Sequence, residues 1–421
     1  MTAPAIAAPP LSPSRAPAHR DANVLRWLAA FTASIVGDAV WFLALSWAAT
    51  RAGDPGRAGL VLAAGSVPRA ALMLGGGVLA DRFGPRRIVI GSDLTRCAVM
   101  FAAAALLALT TPGLWALAVV ALLFGAVDAV FLPAVGALPA RITGPDQLGR
   151  LHGMKGIAMR VGNVAGASLG GTAVAAGGAP VAFAAAGVLF SVSLVLLVAV
   201  RVAPLPPDDR AAQADGTAWR DLVEGLRHIR ARRVLTALMA VIAIGELGFA
   251  GPFNIGLALV AADRGWGAAG LGWIVSGFGA GAGAASLLLT VRGRLPRAGL
   301  AQACCLGLAA VAVAAFAFVP ALPGAVALAV VVGLVAGLSG ALCGALLQTL
   351  TDPAYLGRVS SVAALFSLGL APMSYPLTGA AIGAWGPQPV FVASAAVAAA
   401  GAVLGIAAPA LRRAELARRP G

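Results

Sequence analysis

An all-α membrane fold of twelve transmembrane helices, in two pseudo-symmetric bundles of six, follows from three features of the sequence. Of 421 residues, 60% are hydrophobic and 11% charged, whereas soluble domains are roughly 25% charged. The apolar residues gather in twelve long runs, each near the roughly 20 residues that cross a hydrocarbon core of about 30 Å. Separated features of the two halves repeat at a single displacement.

The first six runs lie near 24–49, 58–79, 88–110, 114–138, 154–175 and 181–202. The second six lie near 233–261, 269–290, 299–319, 325–350, 359–382 and 389–410. They are continuously apolar and about twice as long as the alternating strands of a membrane barrel. Helices, which satisfy every backbone group internally, are therefore the expected spans. The 54 glycines fit this reading, because small residues let helices approach closely in lipid.

Residues 1–23 are rich in Pro and Ala without a continuous apolar core and read as a disordered cytoplasmic tail, not a signal peptide. Residues 24–202 form the first bundle and 203–232 a cytoplasmic linker opening with Pro204, Pro206, Pro207, Asp208 and Asp209. In that linker Trp219, Leu222, Leu226 and Ile229 recur at helical spacing against Arg220, Arg227 and Arg230, the pattern of a helix lying in the membrane interface. Residues 233–410 form the second bundle and 411–421 a cytoplasmic tail.

With a cytoplasmic N-terminus, 24 of the 30 basic residues fall on the cytoplasmic side. Arg51, Arg57 and Arg264 fall outside, and Arg69, Arg96 and Arg160 lie within spans. This bias sets topology with both termini inside, and contact with anionic lipid accounts for the net charge of +14 without a nucleic-acid partner.

Leu148-Gly149-Arg150 is repeated as Leu356-Gly357-Arg358, 208 residues on. The same displacement relates Gly171 to Gly379 and Gly178 to Gly386. Duplicated bundles enclose a midplane cavity that rocking exposes to each side in turn, an arrangement suited to carrying a small molecule.

Between the second and third runs stands Gly77-Val78-Leu79-Ala80-Asp81-Arg82-Phe83-Gly84-Pro85-Arg86-Arg87. It resembles the signature loop of the major facilitator superfamily, with Pro85 in place of one basic residue. The resemblance implies a cytoplasmic gate latch formed by Gly77, Asp81, Arg82, Gly84, Arg86 and Arg87. On the fifth run Gly153, Gly162, Gly166, Gly170 and Gly171 resemble the superfamily's antiporter motif, with Ala167 where that motif has proline. This likeness implies a smooth sliding surface and favours export. A third pattern needs an arginine four residues before Gly125, where Ala121 stands, so its role is not carried over. Together with Ser34-Ile35-Val36-Gly37-Asp38, Ser92-Asp93 and Arg96, these motifs resemble the branch of macrolide-efflux-like permeases and enterobactin-type exporters.

An ionisable residue inside a span needs a partner or a water-filled cavity. Asp38 leads the candidates for proton coupling, followed by Glu246 and Asp128, with Arg69 as a counter-charge. Asp93 and Arg96 read as a gate network with the Asp81 loop, and Arg160 as a side chain snorkelling to the interface. Trp41, Asn163, Phe249, Asn254 and Gln348 are candidates for the cavity wall, since amphipathic and aromatic groups suit an amphiphilic ligand.

Lys155 is the single lysine, and no Gly-rich phosphate loop ends in Lys-Ser or Lys-Thr, so neither an enzyme nor an ATP-driven pump is expected. His19, His152 and His228 form no metal or triad pattern, and Cys97, Cys304, Cys305 and Cys343 lie within spans as small core side chains; no cofactor or metal is expected. The resemblance implies a monomeric, multi-pass proton antiporter of the bacterial inner membrane, exporting drug- or macrolide-type amphiphiles. Export of an endogenous metabolite such as a siderophore, or a non-transporting sensor or scaffold, are the alternatives.

Overall fold

The computed structural model describes residues 18–51, 54–144, 147–202, 218–292, 297–352 and 355–415, without the side chains of 73–83, 140, 218, 219, 221, 290–292, 368 and 371. The tail 1–17, the linker segment 203–217 and the end 416–421 lie outside the described residues. So do the side chains of the proposed latch residues Asp81 and Arg82, and the surroundings of Gly77.

All regular structure among the described residues is helical. In order, the long helices are α1 (Ala22–Arg51), α2 (Pro55–Phe83), α3 (Pro85–Leu109), α4 (Leu114–Ala137) and α5 (Leu148–Val198). The short α6 (Ala218–Ala231) follows. Then come α7 (Arg233–Asp263), α8 (Gly267–Arg292), α9 (Ala298–Phe316), α10 (Leu322–Leu350), α11 (Leu356–Trp385) and α12 (Pro387–Ala407).

At 51 residues α5 is more than twice the length that crosses a hydrocarbon core, and it is broken where the sequence demands it. Gly177 and Gly178 leave helical geometry, with Gly178 at φ 75°, ψ −170° just before Pro180. Gly386, between α11 and α12, adopts φ 79°, ψ 169° ahead of Pro387. This conformation is open essentially to glycine alone. The two residues related by 208 positions thus make the same turn in each half. With the two arms of α5 counted separately, the described residues contain twelve long helices.

The packing repeats as the turns do. In the first half α1 packs on the first arm of α5, α2 on α4 and α3 on the second arm. In the second half α7 packs on α11, α8 on α10 and α9 on α12. These are two pseudo-symmetric six-helix bundles, joined where α2 meets α11 and the first arm of α5 meets α8.

Glycine spacing sets these contacts. Gly162, Gly166 and Gly170 recur every four residues and lie along one stripe of α5. A Cβ on Gly162 would meet the Ile35 side chain at 2.9 Å, and one on Gly170 would meet Val40 Cα at 3.1 Å. These three glycines therefore seat α1 within its own bundle. Gly171 faces the other bundle, where a Cβ would stand 2.8 Å from Ala268 O and 3.0 Å from Gly272 Cα on α8. Gly379, its counterpart, is pressed against Pro55 and Gly56 at the start of α2.

Both seams therefore lie toward the face away from the chain termini. Ser168 and Ser276, 2.7 Å apart, continue the α5–α8 seam to mid-helix. On the terminal side no described atom stands within 4 Å of a Cβ at Gly153, Gly156, Gly283 or Gly340, so among the described residues the bundles close on the far face and part on the terminal face. Trp115 and Trp385 stand at helix ends on the far face, 69% and 72% exposed, as an interfacial aromatic belt does.

The helix foreseen in the linker docks on the second bundle. Gly225 abuts the Arg358 backbone, Arg358 pairs with Glu224 at 3.0 Å, and the His228 ring stacks on Tyr355 at 4.2 Å. Leu222, Leu226 and Ile229 enter the core there.

Candidate functional site

The site begins with charges that four helices bring to one place in the first bundle. Asp38 comes from α1, Arg69 from α2, Asp93 and Arg96 from α3, and Asp128 from α4. Asp93, Arg96 and Asp128 are at most 1% exposed, which is tolerable in a membrane only with full pairing. Asp128 accepts hydrogen bonds from Arg69 on one oxygen and from Arg96 on the other. Arg96 also donates to Ser34 Oγ at 3.1 Å and lies 3.5 Å from Asp93, while Ser193 donates to Asp93 at 2.5 Å. Phe131, Phe124 and Phe190 surround the guanidinium, with ring centroids 3.7, 5.2 and 5.4 Å away, a cation–π cage.

Asp38 stands apart from this pairing. Among the described residues its only ion-pair contact is with Arg96 at 4.0 Å, and its side chain is 27% exposed. Its Oδ1 is buried without a hydrogen-bond partner. Two guanidiniums face three carboxylates, and Asp38 is the one left over.

Asp93 and Arg96, expected in a gate network with the Asp81 loop, are the buried centre of this network, with partners Ser34, Asp128 and Ser193 on other helices. Asp128 is bound by two arginines, and Arg69, expected as a counter-charge to the acids, pairs with Asp128.

Asp38 and Arg69 open onto a cavity of about 480 Å³ between the bundles, walled by Trp41, Asn163, Phe249 and Asn254. The wall owes its shape to Pro252, which lacks a backbone donor and disrupts helical pairing. α7 there widens into one π turn, Pro252–Gly256, a feature frequent at functional sites, and Asn254 donates to Ala250 O at 2.8 Å. Phe253 adds to the wall, stacked on Phe249 with centroids 4.6 Å apart. Gln348 lines neither this cavity nor the next. It is exposed because it falls at the terminal-face end of α10.

A second cavity of about 610 Å³ adjoins the first and is lined by Glu246, Gln302, Ser339 and Cys343. Arg160, Phe249, Phe278 and Ala282 border both. Arg160, expected to snorkel to the interface, lines both cavities; its signal in the sequence was an arginine nearly two turns past the polar start of its span.

Of the remaining latch residues, Gly84 has φ 84°. Arg86 donates to Val200 O at 3.2 Å and Val198 O at 2.9 Å, holding the end of α5, and Arg87 is exposed.

Residues 26–259, more than half the chain, match the sequence profile of the Major Facilitator Superfamily. The chain belongs to that superfamily. It is accordingly a multi-pass membrane protein of a family that binds and carries small molecules. A segment of 147 residues is 31% identical to the multidrug resistance protein B homologs of Mycobacterium tuberculosis strains CDC 1551 and H37Rv. That segment covers 35% of this chain, and the match spans a quarter of the length of those relatives. Among solved structures, the fold is similar to a mutant of the nucleoside transporter NupG (TM-score 0.72, 14% identity, 91% of this chain and 99% of that one). It is also similar to the D-xylose-proton symporter (TM-score 0.69, 13% identity, 91% and 97%). A third similar fold is a bacterial homolog of the human lysosomal transporter Spinster, inward-facing and unoccupied (TM-score 0.66, 16% identity, 95% and 97%).

Proposed function

We propose that this superfamily member exports amphiphilic small molecules from the cytoplasm across a bacterial inner membrane, driven by proton entry. The observation that carries this reading is the surplus carboxylate of Asp38, at the wall of an inter-bundle cavity beside a network whose other charges are paired. A proton on Asp38 neutralises the cluster, and its departure leaves one negative charge in a partly desolvated place. Desolvation favours the neutral acid and the neighbouring arginine the charged form, so small changes in hydration as the cavity changes face load or release a proton.

With the termini cytoplasmic, the conformation described opens to the cytoplasm. Asp38 gives up its proton there and the cavity takes cargo. After the terminal face closes and the far face opens, a proton from outside returns to Asp38 and cargo leaves. The mixed aromatic and amide wall suits amphiphilic cargo. The similarity to multidrug resistance protein B homologs supports efflux.

Everted membrane vesicles containing the protein test this directly. Energised vesicles accumulate amphiphilic fluorescent dyes, and a protonophore abolishes the accumulation. Accumulation that persists with the protonophore, or dye entry only in right-side-out vesicles, contradicts the reading.

A further inference from the structure

The second cavity holds a charge arrangement that proton exchange at Asp38 does not use. Glu246 enters it from α7 in one bundle and Arg160 from α5 in the other, with Phe249 and Phe278 as aromatic wall. Neither charge forms an ion pair among the described residues. The other polar neighbours are neutral: Gln302, 1% exposed, donates to Ser339 Oγ at 3.1 Å. Its Oε1 is buried without a hydrogen-bond partner.

Glu246 is also the counterpart of Asp38, since Gly37-Asp38 and Gly245-Glu246 are 208 residues apart. Their surroundings have diverged. Asp38 stands beside Arg96 and the Arg69–Asp128 pair of its own bundle. Among the described residues Glu246 has no cation on its own bundle's wall of the cavity, and the cation lining it, Arg160, reaches in from the opposite bundle.

We infer that this cavity binds a zwitterionic amphiphile. The ligand's ammonium lies on Glu246, its carboxylate on Arg160, its apolar or aromatic body against Phe249 and Phe278, and a donor faces Gln302. A bare charge on half-buried Glu246 is costly, and the exposed guanidinium of Arg160 lines the same cavity. A ligand of one sign answers only one of the two, whereas a zwitterion answers both and bridges the bundles. Binding itself stands on the cavity; the direction in which the zwitterion moves rests on the export reading.

The test titrates the purified full-length protein, in lipid nanodiscs, with three probes of one skeleton: an arylpiperazine carboxylic acid, its methyl ester and its N-acetyl derivative, which are zwitterion, cation and anion. The zwitterion binds about tenfold or more tightly than either, as expected for one additional charge-assisted contact. Glu246→Gln removes its advantage over the anion and Arg160→Gln its advantage over the cation. The exchange variant carrying both Arg160→Glu and Glu246→Arg restores the preference, a result that misfolding cannot imitate. Equal binding of the three probes, binding of none, or Gln variants that weaken all three alike overturns the inference. Zwitterion preference without proton coupling in sealed vesicles refutes the export reading alone, and coupling without preference refutes this inference alone.

Discussion

Asp38 and Glu246 occupy equivalent positions in the two halves, 208 residues apart, yet one lies 4.0 Å from Arg96 while the other faces a cavity whose one cation among the described residues comes from the opposite bundle. Duplication supplied the same acidic position twice, and unlike neighbours gave each copy different chemistry. The consequences are open to measurement.

Arg96 is the hub of the buried network, bonded to Asp128 and Ser34 and caged by three phenylalanine rings. Arg96→Met leaves Asp93 and half of Asp128 without a counter-charge. Breaking a buried pair costs about 3–5 kcal/mol, so the variant loses most of its folded yield and its Tm in detergent falls. An unchanged Tm contradicts the pairing described.

The turns at Gly178 and Gly386 share a backbone conformation that side chains resist. Gly178→Ala and Gly386→Ala each cost about 1–3 kcal/mol, with thermal unfolding as the readout. The repeat predicts similar losses; a substitution tolerated at one site and not at the other breaks the equivalence.

Gly171 and Gly379 close the far face through different helix pairs. Gly171→Leu and Gly379→Leu overpack their seams by about 1–3 kcal/mol and shift the protein toward the state open on that face. Spin labels placed across the far-face ends of the first arm of α5 and of α8, and of α2 and α11, read the change as a longer distance. Distances that stay fixed in both variants contradict the seal.

Most of the fold was legible because membrane spans are written as apolar runs, and the repeat because glycines at turns and seams cannot drift. The charge network was harder to read. Asp93 and Arg96 lie two to three turns from the polar end of α3, where the sequence reads a gate network with the Asp81 loop, while the partners that bury them, Ser34, Asp128 and Ser193, are 32 to 100 residues away. Arg160 resembles an interfacial arginine until α5 is seen to border the inter-bundle cavity. Gln348 fails as a wall residue for the converse reason, since a polar residue near a helix end has water available. The matching of Asp38 with Glu246 was present in the sequence at the same displacement as the glycines, and acquired meaning once both faced cavities.

The central claim is that Asp38 exchanges a proton for cargo. In sealed proteoliposomes under an imposed pH gradient, adding an amphiphilic dye substrate to the unaltered protein produces a proton flux. Asp38→Asn keeps the neutral form of the cluster permanently, and its flux falls to that of empty liposomes. Flux in the variant equal to that of the unaltered protein contradicts the account.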